Sequence, residues 1–231
     1  MRQNVIDFQD FKAGRIKLPG HLEIKGTGYG ERLFENELLE RLSRTPIWVP
    51  QIMWTTISTG FLLFAFLSAN LTIPEIIGTG IAGALTWTFV EYMAHRFFHH
   101  SETNSERMSR IQHKGHWIHH MYPKDPTRFA MPPIPALVLS SLFLVLFYLL
   151  MGNYALAFYP GFMIGYTVYI SFHYAEHKYS IPKHYPPLRR LWKQHIVHHY
   201  KNPYVAFGVS TNLWDWVFGT MARDREGRII K

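Results

Sequence analysis

The sequence predicts an all-α membrane protein, with four transmembrane helices in two helical hairpins under a cytosolic helical cap that holds a polyhistidine dimetal site. Three observations predict it. Four apolar runs are each near the length of one bilayer crossing, the lysines and arginines avoid all four, and most of the 14 histidines fall into spaced clusters just past the ends of the runs.

The 231 residues suffice for one sizeable domain, which divides into a cytosolic N-terminal segment over 1–46 and an integral-membrane domain over 47–231. Residues 1–46 are polar and punctuated by Gly14, Pro19, Gly20, Gly26, Gly28 and Gly30. Within them Glu31 to Arg44 reads as a short amphipathic helix with Leu33, Leu38, Leu39 and Leu42 as its apolar positions. It lies either on the rest of the domain or on the membrane surface. The first apolar run begins only near Ile47, so no signal peptide is visible.

The four runs span about 47–69, 73–94, 134–151 and 154–172. At 1.5 Å per residue, a 22-residue helix covers about 33 Å, roughly the hydrocarbon thickness of a bilayer. A few residues around Asn70 join the first pair, and Gly152-Asn153 join the second, so each pair is a tight hairpin. Lysine and arginine number 8 in residues 1–46, 6 in 95–133 and 10 in 173–231, which together make the full 24. The spans and both hairpin tips carry none. This is the positive-inside pattern, and it places both termini and the central loop in the cytosol. The formal charge of +8 therefore reflects membrane orientation and not nucleic-acid binding. Trp48 and Trp54 are candidates for a headgroup-level position. Zero cysteines exclude disulfides, thiolate zinc fingers and a cysteine nucleophile.

His116, His119 and His120 stand at i, i+3 and i+4, which on a helix puts three imidazoles on one face. His195, His198 and His199 repeat the same H-x-x-H-H spacing, and the looser pairs His95/His100 and His173/His177 flank them. Neutral imidazole is the commonest protein metal ligand. The topology brings all four clusters to one side of the membrane. Ten imidazoles exceed the needs of one zinc and suit two ions with about five each. Imidazole accepts iron, copper, nickel and zinc alike, so ligand type does not name the metal. Glu91, Asp125, Glu176 and Asp215 are candidates to orient ring nitrogens. His21, His99, His113 and His184 read as non-ligands, although His99 stands i+4 from His95 and competes with His100 on helical geometry. The membrane location points to a lipophilic substrate.

Several stretches resemble a known family. Glu91-Tyr-Met-Ala-His95-Arg-Phe-Phe-His-His100 resembles the E-Y-x-x-H-R-F-x-x-H box of the fatty acid 2-hydroxylases, within the membrane fatty acid hydroxylase/sterol desaturase superfamily. His116 to Pro133 is similar to its H-G-C-H-H-x-x-P-x-D-x-x-R-x-x-x-P-P segment, and Gly165-Tyr166 before His173 and His177 to its G-Y…H-x-x-x-H box. His195-Ile-Val-His-His-Tyr, Phe207-Gly208-Val209 and Trp214-Asp215…Val217-Phe218-Gly219-Thr220 resemble its closing motifs. The likeness covers about residues 45–220. Trp117-Ile118 stand in place of the family's Gly-Cys, and Gln112 where several members carry another histidine. The resemblance implies four transmembrane helices under a cytosolic cap, and a dimetal centre that inserts one oxygen atom from O2 at C2 of a fatty-acyl chain, free or in a sphingolipid. It carries the ligand set over to His95, His100, His116, His119, His120, His173, His177, His195, His198 and His199. Iron is the metal expected for activity, because hydroxylating a C–H bond requires a change of oxidation state that zinc does not make. Zinc is expected in some purified preparations, since affinity at nitrogen sites favours it over Fe²⁺. No cytochrome b5-like haem domain precedes the hydroxylase part, so electrons are expected from a separate donor protein of cytochrome or ferredoxin type. The rival readings are an oxygenase or desaturase acting on sterols, carotenoids or alkanes, and a metal transporter or sensor. The E-Y-x-x-H-R-F and W-D-x-V-F-G-T stretches argue against the first. The absence of histidine from the four runs argues against the second.

Overall fold

The computed structural model describes residues 24–26 and 28–230. The irregular stretch expected over residues 1–23, with His21 as a non-ligand, lies outside the described residues, as do Thr27 and Lys231. Among the described residues the fold is helical, and the one β contact is an isolated bridge between Arg223 and Ile229.

The expected helix over 31–44 is shorter: α1 spans Glu37–Ser43. Asn36 caps it by accepting from the Leu39 amide at 3.0 Å. The preceding amides of Leu33 and Phe34 bond to the Glu40 carboxylate, which diverts them from helical pairing. The helix also sits opposite to its amphipathic reading. Glu40 is buried, while Leu38, Leu39 and Leu42 are exposed.

Three stretches are long and apolar enough to cross a membrane: 48–68, 73–99 and 133–178. The first is α2 (Trp48–Ser68) and the second α3 (Ile73–Met93), which runs on into a π-helical turn over Ala94–His99. The third holds two helices, α6 (Pro133–Met151) and α7 (Ala155–Lys178), separated by a 3₁₀ turn over Gly152–Tyr154. Between them lie α4 (Glu106–Gln112), a second π-helical turn (His113–Trp117) and α5 (Ile118–Met121). After them come α8 (Pro186–Tyr200) and α9 (Leu213–Val217). The chain reverses at Gly152, whose φ of 57° suits a residue without Cβ. Asn70, the residue type that next best tolerates this region, holds φ 55° at the first reversal. Phe147 meets Phe158 at 4.8 Å and Phe143 meets Phe162 at 5.1 Å between ring centroids, so α6 and α7 run antiparallel. The Tyr154 hydroxyl donates to Glu75 Oε1 at 3.0 Å, which ties the two reversals together at one end of the bundle.

α7 is the hub, packed by α2, α3 and α6. Glycines allow backbone contact where it crosses α3. A Cβ on Gly161 would lie 1.9 Å from the Gly80 carbonyl oxygen, and one on Gly83 2.1 Å from that of Phe158. Aromatic rings fill the remaining gaps. Trp54 is 1% exposed and meets Tyr166 edge-on, so it belongs to this core and not to the headgroup level, whereas Trp48 is exposed. The outer faces are the reverse of a water-soluble protein: Leu63, Leu67, Ile77, Leu85, Leu142 and Leu149 are all exposed. Such a surface needs lipid against it. α7 extends six residues beyond the expected end of its run and carries His173 and His177 out of the bundle toward the other histidines.

Candidate metal centre

All ten predicted histidines converge. One group is His95, His100, His116, His120 and His198, and another is His119, His173, His177 and His199. In each group one ring nitrogen per residue lies within 4.8 Å of all the others. His195 adjoins the second group, its Nε2 2.9 Å from that of His177. The triplets share a helix face, but each is divided between the groups: His116 and His120 belong to the first and His119 to the second, then His198 to the first and His199 to the second. The two triplets thereby couple the groups.

The π-helical turn separates His100 from His99. On an α-helix, residues five apart diverge by roughly 140°. Here the His100 amide donates to the His95 carbonyl at 3.1 Å, and the wider turn brings the two imidazoles together. His99 instead stacks on His116 at 4.7 Å, outside both groups. The described non-ligands His113 and His184 also lie outside them. Gln112, fully buried, holds the end of this turn by donating through Nε2 to Phe98 O at 2.7 Å and Ser101 O at 3.0 Å. Sequence reading noted Gln112 as a departure from the histidine found in several family members and missed this role.

Ring orientation comes from backbone carbonyls. A carbonyl only accepts, so Nδ1–H of His95 donates to Phe207 O and that of His198 to Val205 O at 2.8 Å. Each ring is thus left with a bare Nε2 directed inward. The loop supplying these carbonyls is itself held by acids. Asp215 accepts from the amides of Phe207 at 2.9 Å and Gly208 at 2.8 Å. Glu91 accepts from Val209 N at 2.7 Å, Ser210 N at 3.0 Å and the Ser210 hydroxyl. Gly208 is required here, because a Cβ would lie 2.1 Å from the Thr211 carbonyl oxygen. Ala206, with φ 57°, turns the loop into place. Of the four acids expected against ring nitrogens, Glu176 alone approaches one, 3.5 Å from His195 Nδ1. Glu91 and Asp215 act one step removed, through the loop. Asp125 corrects the expectation outright: it binds Gly30 N at 2.8 Å and Arg44 at 3.2 Å, and so fastens the N-terminal segment over the loop after the first triplet.

The residues fit metal ions. Burial, then crowding by neighbouring histidines, holds His116, His119, His120, His195 and His199 well below the ordinary imidazole range, and His198 likewise. The rings are therefore neutral. His116 Nε2 lies 3.0 Å from the Nε2 atoms of His95, His100 and His120. One nitrogen can donate to at most one of three partners, and Nε2 of His95 carries no proton. At least two of these three contacts therefore lack a good hydrogen bond, and a cation shared among the nitrogens would relieve them. With nitrogen about 2.1 Å from a metal, ligands at right angles stand about 3.0 Å apart. In the second group His119 and His173 meet at 2.8 Å between Nε2 atoms, and both ring nitrogens of His199 are buried without a hydrogen-bond partner.

Fold and site together define a membrane-type helical protein whose polar end carries two histidine-only clusters able to hold metal. A sequence profile described as fatty acid hydroxylase matches residues 80–220. A dihydroceramide fatty acyl 2-hydroxylase of Arabidopsis thaliana is 35% identical over 193 residues, covering 83% of this chain and 80% of the relative. A fatty acid 2-hydroxylase of Rattus norvegicus is 33% identical over 210 residues, covering 82% of this chain, which spans only 56% of that relative. Among solved structures, full-length Scs7p, with only its hydroxylase domain visible, superposes with a TM-score of 0.71 at 31% identity, over 86% of this chain and 74% of that one. The chain belongs to the fatty acid hydroxylase family, and a hydroxylating oxidoreductase is the activity class this membership supports.

Proposed function

We propose that this protein hydroxylates a fatty-acyl chain at C2 in a ceramide-type lipid, using O2. The observation that carries the reading is the pair of interleaved histidine clusters, joined by two divided H-x-x-H-H triplets in a chain 35% identical to a dihydroceramide hydroxylase. The ten histidines would hold two metal ions, five each, with His195 completing the second set. Iron bound there supplies the change of oxidation state that oxygen activation needs. His95 and His198 keep fixed tautomers against Phe207 and Val205, and the Glu176 carboxyl stands 3.5 Å from His195 Nδ1. Phe129 packs on His119, His173 and His177 at 5.0–5.4 Å and keeps water from that side of the second set. Residues 47–231 form the integral-membrane domain and cross the bilayer four times, with the cap and both termini in the cytosol. Electrons come from a separate donor protein.

The test is mass spectrometry of total lipids from cells expressing the protein. We expect 2-hydroxylated acyl chains, lost in His119→Ala and His198→Ala and retained in His184→Ala. Undiminished product from His198→Ala would sink the assignment. Elemental analysis of the purified protein should give two metals per chain, with turnover following iron and absent from a zinc-loaded form.

A further inference from the structure

A cavity of about 390 Å³ lies outside the histidine clusters, between the end of α7, the start of α8 and α9. Its size is that of a small-ligand pocket. Phe172, Leu188, Leu191, Leu213 and Trp216 give it apolar walls. Its position is set from two sides. Phe172 directly precedes His173 at the end of an apolar run. On the other side, Trp214 of α9 donates to Thr88 Oγ1 at 3.0 Å and packs on Phe89 at 4.8 Å, in the last turns of α3. The cavity thus stands at the boundary between apolar bundle and polar cap, where lipid headgroups lie. Its wall at Ser210 is bonded to Glu91, one helical turn before His95.

Of the polar side chains lining this cavity, the Ser210 and Thr211 hydroxyls are already bonded, to Glu91 and the Leu213 amide, which leaves two unanswered donors. Arg190 is exposed at its edge with no ion pair among the described residues, and Asn212 Nδ2 is buried with no hydrogen-bond acceptor. No aspartate or glutamate lines it. A guanidinium and an unanswered amide N–H, in an apolar pocket free of carboxylates, call for an anionic head rich in acceptors. We propose that this cavity is a headgroup subsite for a phosphoryl-bearing acyl lipid, with Arg190 and Asn212 as its specificity-determining residues. The assignment rests on the C2-hydroxylase reading and narrows its substrate from ceramide-type lipids in general to those carrying a phosphate on the head.

The experiment compares dihydroceramide with dihydroceramide 1-phosphate, in detergent micelles, as substrates of the purified full chain. Arg190→Ala should raise KM for the phosphorylated lipid about tenfold with kcat unchanged, as expected for a charge-assisted hydrogen bond. Arg190→Lys should recover part of this, Asn212→Ala should weaken the same lipid selectively, and KM for dihydroceramide should not move. Arg225→Ala, an exposed arginine away from the cavity, controls for general loss of charge. Equal effects on both lipids, or no effect, overturn the proposal. Thermal stabilisation by a short-chain dihydroceramide 1-phosphate is read alongside, independently of turnover. It should be lost in Arg190→Ala and not be reproduced by inorganic phosphate. Stabilisation by phosphate alone would reduce the site to an anion site and overturn the lipid assignment. If neither lipid is hydroxylated but stabilisation behaves as stated, the C2-hydroxylase reading fails and the headgroup site stands.

Discussion

At the level of single residues, the ten histidines carry opposing demands. Each must be buried to form a dry metal site, yet each is a base that water would readily protonate. Burial wins: His116, His119, His120, His195, His198 and His199 are all driven well below the ordinary imidazole value. The consequence for stability has a definite sign. The unfolded chain binds protons at these residues below about pH 6.5, whereas the folded chain does not. Stability is therefore complete above about pH 6.5 and falls as the pH drops below it, by up to ~1.4 kcal/mol per group per pH unit. The metal-free protein in detergent should melt at progressively lower temperature between about pH 6.5 and 5, and the metal-loaded protein at least as steeply but from a higher starting temperature, because its bound histidines also take up protons on unfolding. Thermal melts across that range check it, and a flat profile would show that the rings are solvated. These histidines were legible in the sequence because a metal imposes local spacings such as H-x-x-H-H. The division of each triplet between two groups was not, because it depends on partners well outside the triplet, 21 residues away for His116 and His95 and 54 for His119 and His173.

At the level of elements, two local departures decide the geometry. The π-helical turn that aligns His95 with His100 has no sequence period of its own, so a reading based on 3.6 residues per turn sees only a loose pair. Its anchor, Gln112, satisfies carbonyls of Phe98 and Ser101 from a helix that begins several residues later. Gln112→Leu should leave those buried acceptors unpaired, at a cost of about 1–3 kcal/mol, and loosen His100. We expect metal content after dialysis against a mild chelator to fall from two toward one per chain, as the first group empties before the second. Retention of both metals would assign Gln112 to packing alone. The second departure is the contact of α3 with α7. Gly161→Ala would press a methyl 1.9 Å from the Gly80 carbonyl, whereas Gly60, with nothing within 4 Å, has room for one. The two substitutions should differ in sign. Gly161→Ala should lower the melting temperature, and Gly60→Ala should leave it unchanged or raise it, through a gain in helix propensity of up to about 1 kcal/mol in stability. The helices themselves were legible from length and apolarity. The orientation of α1 was not, since Glu40 turns inward only to meet Arg128 at 2.8 Å, 88 residues on.

For the whole molecule, charge and shape agree on a direction. All 24 lysines and arginines lie in the three segments outside the spans, a distribution visible in the sequence because insertion reads charge locally. The headgroup cavity was invisible there, since its walls come from three elements brought together by folding. The stretch Pro133–Lys178 holds 46 residues, about 69 Å of helix and more than twice the hydrocarbon core of a bilayer. It reverses at Gly152, so α6 and α7 are each about one crossing long. The reversal at Gly152–Tyr154 is tied to the start of α3 by Tyr154 and Glu75, while every clustered histidine lies at the opposite end. This arrangement supports the proposed four crossings, with the chain entering α2 and leaving α7 on the histidine side. The absence of cysteine makes this directly measurable, because one introduced thiol reports without background. With the protein expressed in a bacterial inner membrane, Asn153→Cys should react with a membrane-impermeant maleimide from outside the cytoplasm, and Arg225→Cys only after permeabilisation. Labelling of both from the same side would remove a crossing, since the stretch from α7 through the cap would then have to pass back through the bilayer. Labelling in the reverse order would put the histidine clusters outside the cytoplasm, beyond reach of a cytosolic electron donor, and the hydroxylase mechanism would fall with the topology.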